Sequence, residues 1–101
     1  MKKIYTLLLI SFFQFAIPQI SQADSSCNIG ILLYEKGEFS KAFNHMKRLS
    51  AYSNPCAEYY LGIMYFRGEG TQKNIKLAYK FIDKAAKGKY PDAIGFYDKQ
   101  E

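Results

Sequence analysis

Residues 54–88 read NPCAEYYLGIMYFRGEGTQKNIKLAYKFIDKAAKG, and their spacing decides the fold. Asn54 supplies a capping side chain, and Pro55 then falls where its missing N–H costs nothing, so a helix starts here. It runs from Pro55 to Arg67 and stops at Gly68. Gly68-Glu69-Gly70 places two residues free to take positive φ in succession, which predicts a sharp reversal. Asn74 caps a second helix that runs to Lys87 and ends at Gly88. Its inner stripe is Ile75, Ala78, Phe81, Ile82, Ala85 and Ala86, at helical spacing. The stretch is a helical hairpin.

The same grammar extends to both sides. A helix over about Cys27–Lys36 carries Ile29, Leu32 and Leu33 and stops at Gly37. Another over about Phe39–Ala51 gathers Phe39, Ala42, Phe43, Met46 and Leu49 on one face. Lys41, Asn44, His45 and Arg48 fall opposite, the pattern of an amphipathic surface helix. Tyr90-Pro91 opens a last short helix. No alternating strand pattern persists, so the fold class is all-α. A repeat is visible too. Pro55-Cys56-Ala57 returns as Pro91-Asp92-Ala93 after 36 residues, and Tyr34-Glu35-Lys36-Gly37 returns as Tyr65-Phe66-Arg67-Gly68 after 31. Both offsets are of solenoid size.

Met1-Lys2-Lys3 followed by an apolar run from Ile4 to Ile17, Pro18, and Ser21-Gln22-Ala23 has the three parts of a secretory signal. The apolar run is shorter than the roughly 20 residues of a spanning helix. Cleavage is expected after Ala23, with the mature chain in the periplasm or the medium and not stably inserted in a membrane. A lipoprotein reading of Cys27 fails, because Asp24-Ser25-Ser26 puts a charge where small residues are needed, after the apolar run has finished.

What then remains is 78 residues, enough for one small domain. The whole chain is +5 and the mature chain +3, well short of a nucleic-acid-binding arm. One His and two Cys exclude multi-histidine metal centres and four-cysteine zinc ribbons. We expect no cofactor and no metal.

Ala57, Leu61-Gly62, Met64-Tyr65, Gly68-Glu69-Gly70, Lys76-Leu77-Ala78 and Lys84-Ala85-Ala86-Lys87-Gly88, with Ala93 beyond, resemble the Sel-one-like repeat, a branch of the tetratricopeptide-type helical repeats. The likeness covers one full repeat over residues 55–90. Residues 24–54 resemble a degenerate first hairpin, with Ile31 where Gly62 would match, and residues 91–101 form a C-terminal helix stub with Tyr97 and Asp98 in place of Leu61 and Gly62. The resemblance implies a short right-handed α-solenoid of about two hairpins plus a C-terminal helix. Gly62, Gly68, Gly70 and Gly88 are then the repeat's glycines. It also implies protein–protein binding and no chemistry of its own. Relatives proposed to act on β-lactams carry a cysteine pair within each repeat, which this chain lacks.

Cys27 and Cys56 make an even count in an exported chain and lie near the starts of the first helices of successive hairpins, neighbours in a solenoid. A disulfide is the favoured reading, and two independent small apolar residues the alternative. A zinc site from Cys27, Cys56 and His45 would lack a fourth ligand.

Two surfaces are candidates for partner binding. Lys73, Lys76, Lys80, Lys84 and Lys87 line one side of the fourth helix, suited to an acidic protein or simply to keeping a small domain soluble. Few arginines or stacking aromatics interleave with them, which argues against nucleic acid. Tyr59, Ile63 and Phe66 form a second apolar stripe on the third helix, either packed internally or, with Arg67 and extended by Tyr52 and Tyr90, a partner groove. The expected function is an exported adaptor or scaffold. The alternative is an immunity protein that neutralises an exported toxin or envelope hydrolase, and a β-lactam or cell-wall enzyme is remote. Residues 91–101 offer a face for a partner or a homodimer.

Overall fold

The computed structural model describes residues 22–100, so the expected export segment lies outside the described residues save for its last two positions. Among the described residues the chain forms only helices and their connections: α1 (Gln22–Glu35), α2 (Phe39–Ser50), α3 (Pro55–Arg67), α4 (Ile75–Lys87), α5 (Pro91–Ile94) and α6 (Phe96–Gln100). The first helix begins five residues before the Cys27 start read from the sequence. The last short helix is two, divided at Gly95.

The caps act as their residue types dictate. Asn54 and Asn74 have extended backbones, and their side chains accept the N–H groups of Ala57 at 3.1 Å and Leu77 at 3.0 Å. Three helices end with a left-handed residue followed by an N–H that reaches back five positions. These closures are Gly37 with Glu38 to Leu33, Gly68 with Glu69 to Met64, and Lys89 with Tyr90 to Ala85. Gly88, expected to make the last of these stops, has φ −80 and leaves the left-handed position to Lys89. Its value is space, since a Cβ there would lie 2.6 Å from Pro55 Cγ.

Consecutive helices pack together, and α1 also touches α3. That leaves α3 between two cores. Ala57, Leu61 and Met64 face Cys27 of α1 and Ala42, Phe43 and Met46 of α2. Ile63 faces Ile82 and Ala85 of α4, Ala93 of α5 and Phe96 of α6. A helix buried on two sides must be apolar on two sides, which accounts for its second stripe.

Where α3 crosses α4, a Cβ on Gly62 would stand 2.6 Å from Ile82 Cγ1 and 2.9 Å from the Ala78 carbonyl oxygen. Only glycine permits that approach. In the first hairpin Gly30, one position before Ile31, meets the second helix, its Cα facing Met46 and His45. Gly30 thus meets α2 much as Gly62 meets α4. Ile29 and Leu32 face outward, and both are more than half exposed.

Candidate functional site

Cys27 and Cys56 are disulfide-bonded, with Cα atoms 6.3 Å apart, and so tie α1 to α3. Cys27 is fully buried, whereas Cys56 is half-buried and lines a cleft of about 550 Å³. The cleft lies between the α2–α3 and α4–α5 connections. Each connection is built the same way: a left-handed residue, then an extended one, then proline at the first helical position. The sets are Ser53, Asn54, Pro55 and Lys89, Tyr90, Pro91. The two left-handed residues are the positive-φ residues other than glycine among those described.

Tyr52 stands at the cleft's rim, 85% exposed, the most exposed of the large apolar side chains among the described residues. Tyr90 lies across from it, its ring 5.3 Å from that of Tyr59. Burial, then the neighbouring Tyr60 and Asp92, push its phenol pKa up to about 12. Among the described residues no carboxylate lines the cleft, and Lys89 is the charged side chain there.

The sequence-predicted residues fall in different places. Tyr59, Ile63 and Phe66 are roofed by the chain's own C-terminal end: Ile63 is buried, Phe66 meets Phe96 edge-on at 5.9 Å, and Tyr59 meets Tyr90. Of the two readings of that stripe, internal packing describes Ile63, while Tyr59 and Phe66 remain half-buried. Arg67 points instead to the first hairpin. Its Nη1 donates to Tyr34 Oη at 2.8 Å, and Tyr34 donates to Glu69 Oε1 at 2.6 Å. Lys76, Lys80 and Lys84 are exposed along α4. Lys84 also leans inward, its Nζ 4.0 Å from Glu58 and 5.7 Å from the Phe81 ring centre.

Glu58 and His45 differ most from expectation. Glu58 is 4% exposed, and burial raises its carboxyl pKa while Lys84 partly opposes the rise. As the only charge between residues 55 and 66, it was the available signal of an unusual position. His45, placed on the polar face by its spacing, turns to α1, where Nε2 stands 2.7 Å from the Ser26 carbonyl oxygen. A carbonyl only accepts, so Nε2 carries the proton. Among the described residues no group of three His, Cys, Asp or Glu is placed to hold a metal ion, and no helix is long and apolar enough to cross a membrane.

A second, shallower groove of about 830 Å³ runs along α2 beside Leu33 of α1, lined by Lys41, His45, Lys47, Arg48 and Ala51. No protein family, curated protein or solved structure matches this chain.

Proposed function

We propose that the chain is an exported helical-repeat module of the Sel-one-like type, a short right-handed solenoid that binds another protein in the periplasm as an adaptor or scaffold. The observation that carries this reading is the equal construction of the two connections, residues 53–55 and 89–91, which face one another across a single cleft. Repetition of a local geometry at the offset of a sequence repeat is what stacked hairpins produce. The Cys27–Cys56 bond between the first helices of successive hairpins fits the same stacking and an oxidising compartment.

Protein binding is favoured by the residues around the cleft. Tyr52 and Tyr90 are of the type that dominates interface energetics, and the left-handed Ser53 and Lys89 hold strain of the kind found at binding sites. The test is capture from a periplasmic extract of the source organism, with wild-type protein and with Tyr52→Ala as parallel baits. One stoichiometric protein partner, lost with Tyr52→Ala, supports the reading. A charge-reversed bait, Lys76→Glu with Lys80→Glu and Lys84→Glu, reports on the α4 stripe. Absence of any partner for the wild-type bait refutes the reading.

A further inference from the structure

Charge is divided between the helices. The second helices of the two hairpins, α2 and α4, carry seven Lys or Arg and one Asp. The other four carry two basic and five acidic residues. The groove on α2 lies within this basic layer. Lys41, Lys47 and Arg48 line it together with Asn44 and His45, Leu33 and Ala51 are its apolar lining, and no carboxylate of the described residues enters it. Lys41 is held by Glu38 at 3.3 Å, while Lys47 stands over the Phe43 ring at 5.9 Å. Arg48 is exposed.

The groove also adjoins the connection cleft in the chain. Ala51 lines one and Tyr52, the next residue, lines the other, so both wrap the C-terminal end of α2. A partner seated against Tyr52 therefore meets Arg48 and Lys47 about one helical turn away.

We infer that the α2 groove seats an acidic segment of the protein partner, with carboxylates against Lys47, Arg48 and Lys41 and apolar side chains over Leu33 and Ala51. The inference rests on the protein-binding reading above and names the chemistry of the partner. The lining selects a peptide over an anionic membrane: its cations stand beside the apolar Leu33 and Ala51, which suits a chain alternating acidic and apolar side chains.

The test is fluorescence anisotropy of the protein with a short fluorescein-labelled peptide of alternating aspartate and leucine, and with its asparagine–leucine counterpart. The aspartate peptide binds and the asparagine peptide does not. Lys47→Glu with Arg48→Glu weakens binding about ten-fold, and Lys41→Glu with Arg48→Glu does the same should the first pair disturb Phe43. Lys76→Glu with Lys80→Glu on α4 changes it by less than about two-fold. Equal weakening by the α2 and α4 variants overturns the inference in favour of diffuse charge. Binding to phosphatidylglycerol vesicles without binding to the peptide overturns it in favour of a membrane. A captured protein partner indifferent to Lys47→Glu with Arg48→Glu removes the acidic seat but leaves the protein-binding reading standing.

Discussion

The α-carbon of Gly70 is pressed against the main-chain carbonyl of Phe39, so closely that a Cβ on Gly70 would overlap the carbonyl oxygen. This contact docks the α3–α4 turn onto the start of α2 and fixes the second hairpin on the first. Glu69, the preceding residue, accepts the Tyr34 hydroxyl at 2.6 Å and completes the junction.

Gly70→Ala must therefore meet both a left-handed φ of +74 and a backbone collision. A loss of at least about 2 kcal/mol is expected. Gly37 has φ +80 but open space around it, so Gly37→Ala costs only the conformational penalty of about 1 kcal/mol. Urea unfolding of the two variants measures the difference.

Lys89 makes the opposite prediction. It holds φ +69 at a helix end where glycine is the usual occupant. Lys89→Gly relieves the strain and raises stability by roughly 0.5–1 kcal/mol. The same substitution at Asp92, within α5, is expected to lower it. Thermal melts of both variants decide.

The disulfide closes a loop with a sequence separation of 29. Cys56→Ala, or reduction, is expected to cost roughly 3–4 kcal/mol on the chain-entropy estimate. That is a large share of the stability of so small a domain. Unfolding followed with and without a reductant tests it.

Glu58 gives the protein a dependence on pH. Burial raises its carboxyl pKa above the ordinary value of 4.5, so the folded state holds this proton more tightly than the unfolded state. Its contribution is fully present below the unfolded value and is lost as pH rises through the folded one. Glu58→Gln is accordingly more stable than wild type at pH 7, and the gap closes on acidification through the carboxylate range. Lys84→Ala, which removes the opposing charge, lowers stability more at pH 7 than in acid.

Much of the helical framework was legible in the sequence because its signals are local. Asn54-Pro55, Gly68-Glu69-Gly70 and Asn74 mark boundaries through hydrogen bonds and φ values set within a few residues. The inner stripes of α2 and α4 were legible for the same reason, since each helix is buried on one side. α3 was harder. Its periodicity gives two apolar stripes but not what covers them, and the cover over Tyr59, Ile63 and Phe66 comes from residues about thirty positions later. His45 was misplaced because α1 crosses α2 at Gly30, a register that spacing does not report. The connection cleft was hidden because Ser53 and Lys89 do not advertise a left-handed backbone as glycine does.

The most direct test of the account is the intact mass of the protein recovered from the envelope of its source organism, alkylated without reduction. The account predicts a chain beginning at Asp24 with no alkylated cysteine, and two alkylated cysteines only after reduction. A chain retaining residues 1–23, or one with both thiols modified before reduction, would contradict an exported pair of hairpins joined through Cys27 and Cys56.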